Sequence, residues 1–251
     1  MPIKIRDTII EALAKLNSYG FTLNKQQSSS KIWIFSRTRG EIIEYVTFDL
    51  SNHFPNSIRA SINTSKQLKA VYVSEMIKEK GETGWWTFSD SDSLRLIVNE
   101  LLEAIIQYGI PWFDRVAKPI PQIPEGFSKD LFLNREELAD KFKERYNIIL
   151  TDDTALWKIE EIMEGLYRDN PTKIVDWDLV LEASAFYGEF IRVTLGASWK
   201  WHEEVGIAAI VNIAGIENSV VSPIISLIRL WWNPFEKLTS RYRVLKELGN
   251  A

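Results

Sequence analysis

Ile5, Ile9, Leu13 and Leu16 recur at spacings of three and four, which places them on one face of an opening helix that Gly20 stops. The period then shortens. Residues 31–36 (Lys31-Ile32-Trp33-Ile34-Phe35-Ser36) read as a strand, Thr38-Arg39-Gly40 as a turn, and residues 42–50 as a second strand. Together they predict an antiparallel hairpin. Ile58-Arg59-Ala60-Ser61-Ile62-Asn63 alternates apolar and polar positions, the pattern of a strand wet on one side. Weaker strands are expected near residues 70–73 and at Trp85-Trp86-Thr87-Phe88. Asp90, Ser91 and Asp92 offer capping oxygens to a helix over residues 93–108, with Leu94, Ile97, Val98, Leu101, Leu102, Ile105 and Ile106 on its apolar face. Trp112-Phe113 follow Pro111 and are expected to plug the end of this core.

Lys118-Pro119-Ile120-Pro121-Gln122-Ile123-Pro124-Glu125-Gly126 breaks the periodicity. Proline fixes φ and removes a donor, so residues 118–127 read as an extended linker between a domain over 1–117 and another over 128–251. Beyond it, residues 135–146 form a charged amphipathic helix. The next spans 155–167, capped by Thr151, Asp152 or Asp153. Leu156, Ile159, Met163, Leu166 and Tyr167 make its stripe, and Lys158, Glu160, Glu161 and Glu164 its polar side. Residues 178–195 are apolar nearly all round, as in a helix central to its domain. Residues 199–202, 205–213 and 219–227 suggest strands, or a strand and a short helix. Residues 234–248 close the chain as a helix with Arg241, Arg243 and Lys246 toward its end. The expected class is α+β, in two domains, each an antiparallel sheet packed with helices.

Composition narrows the function. Of 251 residues, 45% are hydrophobic and 25% charged, as in an ordinary globular protein, and cysteine is absent, which excludes disulfides, thiolate metal sites and a cysteine nucleophile. Residues 1–120 carry 15 basic and 13 acidic side chains, and residues 121–251 carry 15 and 21. Neither half has the dense basic face of a nucleic-acid binder. The apolar runs 205–216 and 220–232 are shorter than the ~20 residues that cross a bilayer. No signal peptide is read at Met1-Pro2-Ile3-Lys4-Ile5-Arg6-Asp7, so a cytoplasmic protein is expected, with no membrane and no nucleic-acid partner.

The common catalytic signatures are absent: no phosphate-binding glycine loop, no H-E-x-x-H, no G-x-S-x-G. His53 and His202 are the two histidines. On a strand, His202 and Glu204 would share a face, yet two ligands are too few for a tight zinc site, so neither metal nor cofactor is expected. Glu182 and Glu189 share one face of an otherwise apolar helix, and Arg192 is placed to pair with Glu189. Such carboxylates are either paired or perturbed. Ten tryptophans are many, and six are clustered: Trp85-Trp86, Trp199/Trp201 and Trp231-Trp232. Trp85, Trp86, Trp112, Trp199, Trp201 and Trp231, with Glu189 and Arg192, are the candidate binding residues, because exposed tryptophans anchor interfaces.

The N-terminal half resembles a bacterial domain of unknown function found near toxin-immunity genes. The resemblance rests on Leu16…Tyr19-Gly20-Phe21, Trp33-Ile34-Phe35-Ser36-Arg37, Thr47-Phe48-Asp49-Leu50-Ser51, Trp85-Trp86-Thr87 and Ile110-Pro111-Trp112-Phe113. In the C-terminal half, Tyr187-Gly188-Glu189-Phe190-Ile191 and Leu195-Gly196-Ala197-Ser198-Trp199 are similar to a helix motif of other immunity-like bacterial proteins. There Gly188 would admit a close neighbour and Gly196 would end the helix. The resemblance implies a non-enzymatic protein-binding protein whose partner is a toxin. The alternatives are a hydrolase using Glu189/Arg192 or His202/Glu204, and a small-molecule sensor with a Trp-lined pocket between domains.

Overall fold

A computed structural model describes residues 5–67, 69–77, 84–152 and 154–249, the side chains of Ala12 and Leu13 excepted. The fold is α+β. Two compact units divide the chain, 1–117 and 118–251.

In the first unit α1 (Ile5–Leu13) runs into a 3-10 turn, Ala14–Tyr19. Ile9 and Leu16 of the predicted stripe are buried, whereas the Leu13 side chain lies outside the described residues. Six strands follow: β1 (Thr22–Leu23), β2 (Ile32–Arg39), β3 (Ile42–Leu50), β4 (Ser57–Thr64), β5 (Val71–Tyr72) and β6 (Trp86–Thr87). All pairings are antiparallel in the order β1-β2-β3-β4-β5, with β6 also on β4. The expected hairpin is β2–β3, closed where Arg39 faces Ile42. β4 departs from the expectation of a strand wet on one side. It pairs with β3, β5 and β6, and on its polar side Ser57 and Ser61 are buried and Arg59 and Asn63 half-buried.

A short α2 (Val73–Ile77) sits between β5 and β6. Asp90 then caps α3 (Ser91–Ala104) by accepting from the Ser93 backbone N–H at 2.7 Å, and Ser93 Oγ accepts from the Asp90 N–H at 3.0 Å. The helix does not stop near residue 108. It passes through a π turn, Ile105–Gly109, into α4 (Ile110–Val116). Pro111 supplies no N–H, and the wider turn absorbs the loss: the Ile110 N–H bonds back five residues to Ile105. That geometry carries Trp112 and Phe113 into the core, fully buried.

Three of the five segments that carried the N-terminal resemblance meet around one arginine. Arg37 lies 4.5 Å over the Phe21 ring and 5.8 Å from that of Phe113, and donates to the Tyr19 carbonyl at 2.7 Å. It also pairs with Glu44, which is fully buried on β3 opposite it. Those segments therefore build the core of this unit.

The second unit begins with α5 (Phe127–Tyr146), eight residues earlier than the charge pattern suggested and kinked at Asn134 (φ −110°, ψ 16°). Next come α6 (Ala155–Asp169) and α7 (Trp177–Leu195), whose N-cap Asp176 accepts from Leu179 N–H at 3.2 Å. The N-cap of α6 is Thr154, without a side-chain cap bond, and not one of the residues expected there: Asp152 accepts from the Thr154 N–H at 2.8 Å just ahead of the helix, and Asp153 lies outside the described residues. A three-stranded antiparallel sheet follows, β7 (Ser198–His202), β8 (Ile207–Val211) and β9 (Val220–Val221). The chain ends in α8 (Pro223–Trp232) and α9 (Leu238–Gly249). As its composition required, α7 is central: fourteen of its nineteen residues are buried, and α5, α8 and the sheet pack around it. Trp231-Trp232 stand on a helix, not a strand, because Pro223 at the first helical position starts α8 here. Among the described residues, no helix is long and apolar enough to cross a membrane.

Candidate functional site

The carboxylate singled out on α7 is part of a closed polar cluster. Glu189 is 4% exposed. One of its oxygens accepts from Trp199 Nε1 at 2.8 Å and the other from Arg192 Nε at 2.7 Å, with Arg135 Nε of α5 at 4.0 Å. Hydrogen bonding to Glu189 holds the Arg192 guanidinium above its usual pKa. Gly188 makes the cluster possible, since a Cβ there would overlap the Trp199 ring and lie 3.1 Å from Pro223 Cγ. Two turns earlier, Glu182 pairs with Arg145 of α5 at 2.9 Å, and burial raises its pKa against the pull of Arg145 and Lys141. α5 and α7 are thus riveted by Arg135/Glu189 and Arg145/Glu182. Both Glu189 oxygens are engaged, so the geometry describes a structural tie.

The His202/Glu204 pairing does not form as a strand face. β7 ends at His202, and Glu203 and Glu204 lie exposed in the turn beyond, so alternation no longer relates them. His202 Nε2 is buried without a hydrogen-bond partner. Among the described residues, no three acidic or histidine side chains gather as a metal would need.

Half of the six tryptophans singled out are interior. Trp86, Trp112 and Trp231 are buried and offer no surface to a partner. Trp85 is half-buried under the Arg59 guanidinium, 4.3 Å from its ring. Trp199 and Trp201 lie partly buried against the second core. The exposed indole is one that the clustering did not mark, Trp157, at 67%. It follows Leu156 on α6 and points away from the buried stripe. The available signal was a large aromatic at an outward position of an amphipathic helix.

Trp157 borders a shallow pocket of about 390 Å³, with Thr154 and Leu156 from α6 and Thr239, Ser240, Tyr242 and Arg243 from α9. The two helices are held together by glutamates that the sequence placed on the solvated side. Glu160 and Glu164 are only 4% and 8% exposed. Glu160 accepts from the Thr239 N–H at 2.8 Å and from its hydroxyl at 2.9 Å, setting a negative charge at the start of α9. Glu164 bonds Lys237 and, at 2.8 Å, Arg168. Burial raises the Glu160 pKa despite these donors and Lys237. Arg243 has no carboxylate partner among the described residues. Val244 and Leu248, four residues apart on α9, are more than half exposed.

Among known protein families, curated proteins and solved structures, none matches this chain.

Proposed function

We propose that the chain acts by binding another protein, and that the contact is made at the α6–α9 face of the second unit. The observation that carries this reading is Trp157, a two-thirds exposed indole beside an arginine without a carboxylate partner. Tryptophan, arginine and tyrosine are the side chains that dominate binding energy at protein interfaces. Here Trp157, Arg243 and Tyr242 border one pocket, with Val244 and Leu248 exposed on the same helix as the last two. The chemistry fits a partner segment with an acidic side chain for Arg243 and an aliphatic or aromatic group for the indole. This places the contact elsewhere than the clustered tryptophans, and it calls for an acidic partner surface. Neutralisation of a toxin is the narrower form of this reading, and it rests on the sequence resemblance alone.

The test is capture of a partner by the tagged full chain from lysate of cells that make it, alongside Trp157→Ala and Arg243→Glu. A stoichiometric protein held by the wild type and lost with both variants supports the reading. A partner held equally by all three, or none at stoichiometric yield, refutes it.

A further inference from the structure

We infer that a second pocket, on the other side of α9, binds a small aliphatic carboxylate. The pocket has a volume of about 350 Å³, at the low end of the range of ligand sites. Ser222, Ser226 and Arg241 supply its polar lining, and Val220, Val221, Ile225 and Leu245 its apolar walls.

Its polar groups are under-used. Arg241 is half-buried, and among the described residues it donates to Ser226 Oγ at 3.0 Å and has no carboxylate within ion-pairing distance. A guanidinium has five N–H donors, so most of its capacity remains for a ligand. Ser222 precedes α8, where a serine hydroxyl ordinarily accepts from the first turn. Here it makes no such bond, and its Oγ is buried without a partner. A cation without a counter-charge and an unpartnered hydroxyl on one pocket lining, among the described residues, are the complement of an oxyanion.

The charge and the walls choose among oxyanions. One guanidinium balances one negative charge and matches a planar carboxylate through its fork. A phosphate near two negative charges would leave half of its charge uncompensated. Four aliphatic residues in the lining suit a short branched tail. The ligand class is therefore a monocarboxylic acid of isovalerate size.

The experiment is calorimetric titration of the full chain with isovalerate, with its neutral amide and with inorganic phosphate. Isovalerate, of about seven non-hydrogen atoms, is expected to bind saturably at about 1 mM or tighter, with the amide and phosphate at least about tenfold weaker. Arg241→Gln should weaken isovalerate by about 10-fold or more, the loss of a charged hydrogen bond. Ser222→Ala removes a hydroxyl with no partner, so it should fold normally and weaken binding a few-fold. No saturation, amide binding as tight as acid, phosphate binding tighter than isovalerate, or unchanged affinity in a folded Ser222→Ala would each overturn the assignment.

Discussion

Gly188→Ala is the substitution whose outcome separates helix propensity from tertiary packing. In an exposed helix interior the change stabilises by about 1 kcal/mol. At Gly188 the new Cβ would overlap the Trp199 ring, so the indole must leave its place. Overpacking of this kind costs about 1–3 kcal/mol. Moving the ring also breaks the Trp199 Nε1–Glu189 hydrogen bond, and a bond to a charged group is worth about 1.5–3 kcal/mol. Set against the propensity gain, the net expectation is a loss of about 3 kcal/mol. Urea unfolding followed by far-ultraviolet circular dichroism measures it. A companion comparison isolates the cause: in a Trp199→Ala background only the 3.1 Å approach to Pro223 Cγ remains, so the propensity gain of about 1 kcal/mol is offset and Gly188→Ala should be close to neutral. An equal cost in both backgrounds, or no cost in the wild type, would refute the reasoning.

Other substitutions test separate parts of the account. Tyr187→Phe removes a buried hydroxyl that has no partner and whose pKa burial pushes up to about 12, so it should raise stability by about 1 kcal/mol in thermal or urea unfolding. Glu44→Ala leaves the Arg37 guanidinium without its buried counter-charge and should destabilise by about 3 kcal/mol, measured the same way. Burial raises the Glu160 pKa above its ordinary 4.5, so the folded chain holds that proton more tightly than the unfolded chain does. The ionised group therefore weighs against folding at neutral pH, and the penalty fades as pH falls through the raised value toward 4.5. Glu160→Gln, which keeps an acceptor for Thr239, should match or exceed wild-type stability at pH 7. Its advantage should shrink on acidification, and growth of that advantage would contradict the assignment.

What the sequence disclosed follows from which forces are local. The β2–β3 hairpin and the centrality of α7 were legible, because alternation and an all-round apolar surface are properties of consecutive residues. The Arg192–Glu189 pair was legible for the same reason, being one helical turn. The burial of Glu160 and Glu164 was not. Their partners Lys237 and Thr239 are more than seventy residues away, and a glutamate beside an amphipathic stripe has the same local pattern whether water or a helix start meets it. The two-sided burial of β4 depends likewise on strands that arrive later in the chain. Trp157 stands alone in the sequence, whereas clustering marks paired tryptophans, of which Trp86 and Trp231 fill cores. Part of the acidic excess of residues 121–251 is internal, since Glu160, Glu164, Glu182 and Glu189 are engaged in internal bonds and ion pairs.

The central claim is that the α6–α9 face binds a protein, and the affinity of the captured partner for Trp157→Ala tests it most directly. A residue this exposed should leave folding stability within about 0.5 kcal/mol of wild type. At the centre of an interface its loss should cost about 2 kcal/mol or more, close to 30-fold in Kd. Unchanged stability with that loss of affinity is the expected result. Unchanged affinity in the same folded variant would contradict the account.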